Sequence, residues 1–197
     1  MFTGKLLQLQ QSLKSLPGIG EKTAQRLALF IVSQDKEKAF KLSDAVREAV
    51  ESYQNCSFCN MLSESDPCPL CSDPDRDSEL LCIVEHTRDV FHIESTREYK
   101  GHYFVLGHLL SPVDGIGPKQ IQLDKLKNLI RQKAFKEIIF AISPSTEGES
   151  TIHFIAEYLK NCEISMTRLS TGIPYGSDME YTGTVTLMNA LKRRFPV

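Results

Sequence analysis

The chain has 197 residues, 41% of them apolar and 24% charged, with a formal net charge of −2. That composition is ordinary for a globular protein of one domain or two small ones. It argues against a chain coated with nucleic acid, and no apolar run approaches the roughly 20 residues that span a bilayer.

The first residues, MFTGKLLQLQQ, contain neither an apolar signal core nor a small-residue cleavage site, so cytosolic residence is expected. Leu6, Leu9, Leu13 and Leu16 recur at helical spacing, and Pro17 ends that helix. Gly18-Ile19-Gly20 turns the chain. A second helix starts near Glu21 with Ala24, Leu27, Ala28 and Ile31 inward. A third carries Ala39, Leu42, Val46, Ala49 and Val50 and runs to Tyr53. Residues 1–54 thus form a small helical module. Charge is concentrated there: residues 1–50 carry 8 Lys/Arg against 5 Asp/Glu, whereas residues 51–197 carry 15 against 20.

Residues 55–79 lose all periodicity and hold too little apolar material to form a core. Cys56-Ser-Phe-Cys59 and Cys68-Pro-Leu-Cys71 are two CxxC turns eight residues apart. Each turn presents two thiolates on one side of a tight loop, and two turns complete a tetrahedral zinc shell. Metal binding would supply the folding energy the segment lacks. A disulfide pair fits poorly with a chain lacking a secretion signal, and neither knuckle sits where redox CxxC motifs do. With all four positions filled by protein, the expected zinc is structural. Cys82 and Cys162 lie in apolar segments and are expected in the core.

From Leu80 strands and helices alternate: LLCIVE, then helical RDVFHIEST, then HYFVLG and the glycine-rich SPVDGIGPKQ. Next come LDKLKNLIRQ as helix, EIIFAI as strand, ESTIHFIAEYLK as helix and EISMTRLS as strand. This order predicts an α/β layer with a mainly parallel sheet over residues 80–174. Residues 175–197 form a short tail ending in a helix, TLMNALKRRF, with its cations at the favourable end.

Two constellations carry function. In LPGIGEKTAQRLA the turn Gly18-Ile19-Gly20 exposes backbone amides at a helix N-terminus, which suits phosphate, and Lys22 and Arg26 lie one turn apart beyond it. A corner using glycine only for its backbone angles is the plainer alternative. Contacts of this kind hold a nucleic-acid backbone without reading sequence. Two cations make a weak, salt-sensitive handle, so several copies acting on one DNA are expected. The second constellation is Glu85 at the end of LLCIVE with Glu147 and Glu149 beyond EIIFAI. Ligands of open α/β sheets gather at such strand ends, so these three carboxylates could meet. Solvated loop carboxylates are the alternative, and a weak or dispensable Mg²⁺ site is the middle option.

The Glu85 strand and the later acidic pair resemble the Toprim domain of topoisomerases, primases and some nucleases, with an ExE in place of DxD. The longer side chains weaken the catalytic analogy. Taken with the hairpin and the four-cysteine knuckle, the full chain resembles the bacterial RecR family of recombination mediators. LPGIGEKTAQRLA, CSFC…CPLC, CIVE, YFVLGHLLSPVDGIGP and PSTEGES carry the likeness; Ser143-Pro144-Ser145 stands where Asn-Pro-Thr is expected.

The resemblance implies a mediator without catalytic activity, assembled as a ring-shaped tetramer of paired dimers, cytoplasmic and nucleoid-associated. It implies DNA contact at Gly18, Ile19, Gly20, Lys22 and Arg26, with single- and double-stranded DNA both bound. It implies work with RecO and RecF to load RecA onto gaps covered by single-strand-binding protein. Glu85, Glu147 and Glu149 would then serve partner docking or Mg²⁺. Two alternatives from other classes stay open here: a small metal-dependent Toprim nuclease, and a monomeric one-hairpin adaptor.

Overall fold

Leucines at helical spacing and two small residues in register build the N-terminal part of the chain. The computed structural model describes residues 2–170 and 172–194. The chain divides into two compact units, Met1–Tyr53 and Gln54–Val197. In the first, α1 (Gly4–Lys14), α2 (Glu21–Ser33) and α3 (Lys36–Ser52) follow one another. Ala24 and Ala28 are fully buried, and their small side chains let α1 pack closely on α2. Helix α1 stops at Lys14, three residues before Pro17, and Leu16 stays half exposed. The amide of Ser15 already bonds back to the carbonyl of Gln11, and that of Leu16 to the carbonyl of Leu13, so the helix is closed before the proline is reached.

The apolar stripe of α3 is uncovered. Leu42, Val46 and Val50 are exposed, Val50 at 75%, and no residue of α3 is buried. Spacing alone predicts a core face there; within this unit α1 and α2 do not cover it.

In the second unit a two-stranded antiparallel ribbon, β1 (Gln54–Asn55) with β2 (Leu62–Ser63), opens the cysteine segment. The one-turn helix α4 (Pro69–Ser72) carries its last cysteine. Then come β3 (Asp77–Val84), α5 (Thr87–Thr96), β4 (Gly101–Val105), α6 (Leu123–Gln132), β5 (Glu137–Ala141), α7 (Thr146–Tyr158) and β6 (Ser165–Arg168). The four strands β3–β6 form a parallel sheet in the order β4-β3-β5-β6. This is the expected α/β layer. Strand β3 begins three residues before Leu80, because Asp77, Ser78 and Glu79 are extended while remaining exposed and so give no apolar signal. Helix α7 likewise begins at Thr146, ahead of Glu149. The Ser145 hydroxyl caps it by accepting from the Gly148 amide at 3.0 Å, the same service a threonine would give.

Alternation along β3 sorts the core into two faces. Leu81 and Ile83 join Phe104, Leu126, Ile138, Phe140 and Ile155 under α6 and α7. Cys82 and Val84 join Val90 of α5, Tyr103 and Val105 on the other side. Each of these large side chains contributes about 1.5–3 kcal/mol by leaving water. Cys82 is buried, and that burial pushes its thiol up to about 12, so it stays a neutral core residue. Cys162 is only half buried, packed at the rim of the α6–α7 core. The terminal helix α8 (Thr184–Lys192) follows a 3-10 turn at Met179–Tyr181. It ends with Lys192 in its last turn, and Phe195 lies outside the described residues.

One buried histidine is left with an incomplete set of partners. His102 on β4 is 6% exposed; its Nε2 faces Lys133 Nζ at 3.0 Å and its Nδ1 has no partner. Burial, then the charges of Lys133 and Arg76, hold its pKa below the ordinary imidazole value, against weaker opposition from Asp73 and Asp77. The folded protein therefore resists a proton that the unfolded chain accepts below about pH 6.5. Stability should fall as pH drops from 7 through that range. Thermal melts between pH 7 and 5 should show that decline in the wild type and a shallower one in His102→Leu; identical slopes would contradict it.

Candidate nucleic-acid interface and metal centre

The hairpin is held from behind by one acidic residue that sequence reasoning passed over. Glu21, the first residue of α2, accepts from Gln10 Nε2 of α1 and pairs with Lys14 Nζ at 2.5 Å. Gln10 is buried, so this carboxylate staples α1 to α2 from the inner side of the turn. A polar residue on the inner face of a leucine helix offers no periodic signal, which is why the staple shows only in three dimensions.

Between the helices the Ile19 amide bonds to the Leu16 carbonyl at 3.1 Å and closes the turn. Gly18 sits at φ +79°, a left-handed backbone that favours glycine, and Gly20 is an extended N-cap with no side chain to satisfy the first amides of α2. Among the described residues the Gly18 and Gly20 amides have no backbone acceptor. Lys22 and Arg26 stand one turn apart on α2, both exposed. Among the described residues the ion pairs of this unit join Lys14 to Glu21, Lys41 to Glu37 and Arg47 to Asp44. Lys22 and Arg26 are left uncommitted. Open amides beside two free cations have the chemistry that suits phosphate.

A look-alike in the second unit shows what a satisfied turn is like. Gly115-Ile116-Gly117 repeats the tripeptide, Lys119 follows at the same offset as Lys22, and Gly115 is also left-handed at φ +70°. All three of its amides are engaged. Gly115 donates to the Pro112 carbonyl at 3.2 Å, Ile116 to the Ser111 carbonyl at 2.9 Å, and Gly117 to Gln120 Oε1 at 3.0 Å. The same letters make an open turn once and a closed one once.

In the metal centre, Cys56, Cys59, Cys68 and Cys71 bring their sulfurs within 4.8 Å of one another, with Cys59 and Cys68 at 3.5 Å. A tetrahedral shell with Zn–S near 2.3 Å requires sulfurs about 3.8 Å apart, so the set fits zinc. The Cys68 amide points at Cys56 Sγ at 3.4 Å, as amides do toward thiolates. Crowding of the four thiols pushes Cys59 and Cys71 well above the ordinary range, with the Cys56 sulfur the largest cause of each. Four groups that cannot all ionise alone are suited to sharing a cation.

The knuckle is not a separate bead. Cys56, Cys59 and Cys68 belong to the same apolar cluster as Cys82, Val84, Val90, Tyr103 and Val105 of the sheet. The Val105 amide of β4 donates to the Cys59 carbonyl at 2.8 Å, and Asn60 Nδ2 donates to the Val105 carbonyl at 2.8 Å. Beyond Cys71, Arg76 is 8% exposed at its side chain. It forks onto the Glu94 carboxylate and donates to the Gly101 carbonyl at 2.8 Å. Burial works against the Glu94 charge, but hydrogen bonds from Arg76 and Tyr103 outweigh it and hold the carboxyl below its usual value.

The three sheet carboxylates do not form a shared ligand set among the described residues. Among the described residues the four cysteines form the only group of three or more ligands close enough for one ion. Glu85 Oε1 lies 3.2 Å from Nε2 of its neighbour His86. Glu147 and Glu149 lie in the first turn of α7 rather than in a loop, and Arg168 of β6 holds both oxygens of Glu149 at 2.7 and 2.8 Å. The helix starts too early, and its acid is already matched by a cation. Gly148 between them is obligatory, since a Cβ there would lie 2.1 Å from the Ser143 carbonyl oxygen.

Three family models match in the order of the fold: the RecR helix-hairpin-helix over residues 6–50, the RecR four-cysteine zinc finger domain over 54–73, and the Toprim domain over 79–170. The chain is 45% identical over 194 residues to recombination protein RecR of Gloeobacter violaceus, covering 98% of each chain. It is equally similar to that of Gloeothece citriformis, covering 98% of this chain and 97% of the relative. The chain belongs to the RecR family. Its Heliobacterium modesticaldum relative is 42% identical over 187 residues, which span 95% of this chain and 94% of that one. The family name places the chain in recombination, and the zinc-finger match agrees with the four-sulfur geometry. Among the described residues no helix is long and apolar enough to cross a membrane.

Two outcomes follow from this geometry. Gly18→Ala should lower the melting temperature, at a cost of about 1–2 kcal/mol for its left-handed backbone, whereas Gly20→Ala, at an extended N-cap with no such backbone strain, should lower it less. Equal stability of the two variants would refute the assignment. Cys59→Ser should lose its zinc and, because the knuckle shares its core with β3 and β4, melt the sheet earlier as well. Circular dichroism of the α/β signal, unchanged in a zinc-free variant, would show the knuckle to be independent.

Proposed function

We propose that this chain is a DNA-binding recombination mediator that performs no chemical step. It grips the phosphate backbone through the turn of Gly18, Ile19 and Gly20 with Lys22 and Arg26, and zinc on Cys56, Cys59, Cys68 and Cys71 has a structural role. Work follows the division at residues 1–54, 55–79, 80–174 and 175–197: grip, brace, partner platform and assembly. Single- and double-stranded DNA are both bound without regard to sequence.

The observation that carries this reading is the open hairpin with two uncommitted cations, set against its self-satisfied twin at Gly115. Two phosphate contacts give weak, salt-sensitive binding, so function requires several hairpins on one DNA. The uncovered apolar surface supports such an assembly. Phe30 (58% exposed), Val46 and Val50 in the first unit, and Tyr181, Val185 and Leu191 in the tail, are more than half exposed. Patches of this kind mark protein contacts. We read them as the two interfaces of a homotetramer built from paired dimers. RecO and RecF are the partners through which the ring promotes RecA loading at gaps, with Glu85 and Glu147 offering acidic contacts. The spacing of the sheet carboxylates lends no support to Mg²⁺ binding or to the nuclease alternative. The reading places the protein in the cytoplasm, at the nucleoid.

Lys22→Ala combined with Arg26→Ala should abolish DNA binding in a gel-shift at low salt while zinc content and oligomer mass stay unchanged. Wild-type affinity should fall by orders of magnitude between about 50 and 200 mM salt if the hairpins act together. A double variant that binds like wild type, or a strictly monomeric protein holding DNA tightly, would overturn the proposal.

A further inference from the structure

Helix α6 reaches across to the metal loop with one side chain. Lys125 Nζ donates to the Cys56 carbonyl at 2.7 Å and to Asn60 Oδ1 at 3.4 Å. Asn60 is buried, sits at φ +63° between the two CxxC turns, and commits its side-chain amide to Val105 of β4. The ammonium thus touches the backbone of one cysteine and the residue that follows another. Four thiolates around one divalent cation leave a double negative charge in an apolar core, and uncompensated buried charge is costly. The basic residue nearest in sequence, Arg76, is turned away onto Glu94 and Gly101, with Asp73 3.7 Å from its Nε.

We propose that Lys125 is a positioning residue for the metal centre: its charge offsets the tetrathiolate, and its hydrogen bonds fix Cys56 and Asn60. The α/β domain thereby helps to hold the metal, from a residue on α6 that lies 54 positions beyond the last cysteine. This rests on the reading that the four cysteines carry zinc. Outer partners of metal ligands typically change affinity by about 10–100-fold. Lys127, on the same helix, lies over the Tyr158 ring and serves as the matched control.

The test is transfer of zinc from the full-length, zinc-loaded protein to an excess of a coloured chelator. Lys125→Gln, which keeps a donor and loses the charge, should release zinc about tenfold faster or more. Lys125→Arg should stay near wild type, and Lys127→Gln should match wild type. If Lys125→Gln is not recovered folded, Lys125→Met supplies the neutral side chain. Retention by Lys125→Gln at the wild-type level, or an equal change in Lys127→Gln, overturns the assignment. Elemental analysis showing no zinc in the wild type would instead sink the metal reading, and this proposal with it.

Discussion

Four sulfur atoms held within 4.8 Å of one another are the constraint on which the second unit depends. The segment that carries them lacks the apolar residues to fold alone, yet three of the four cysteines are fully or almost fully buried. They are buried because the sheet accepts them: Cys82, Val84, Tyr103 and Val105 supply the apolar floor. The knuckle in turn supplies that face of the sheet with a cover that α5 by itself does not provide. Knuckle and sheet therefore stabilise each other. Bonds from Val105 to Cys59, and from Asn60 to Val105, extend the β4 ladder into the knuckle, so the outer edge of β4 is protected at that point.

The first unit works on a different balance. Its helices are joined by two buried alanines and by the Glu21 carboxylate with Gln10 and Lys14. Most of its large apolar side chains stay exposed, which is unfavourable for a lone monomer and suitable for a subunit. Its turn leaves amides open at the point where two cations stand free. Under the proposed function, weak contact per subunit and apolar surfaces for association would belong to the same design, since a feeble grip multiplied over several copies would become a firm and reversible one.

The acidic strand ends show how the fold, and not spacing along the chain, selects the partner of a carboxylate. Sequence reasoning places Glu147 and Glu149 just past a strand end, where they could join Glu85. Ser145 caps the helix early, Gly148 is forced against the Ser143 carbonyl, and Arg168 claims Glu149 from the neighbouring strand. None of these three contacts announces itself in a residue pattern.

What lay in the sequence alone was everything that depends on short-range periodicity or spacing. The α/β alternation, the parallel sheet, the positions of α2, α5 and α6 and the two CxxC turns all follow from residues within one or two turns of each other. So does the basic hairpin, because its glycines and cations are sequential neighbours. Only the tertiary structure decided matters of pairing between distant residues: which of two GIG turns keeps its amides free, which carboxylates already have cations, and that Lys125 reaches the metal loop. Those outcomes depend on hydrogen-bond competition and burial between residues far apart in the chain, where one residue's partner is chosen by the fold and not by its neighbours.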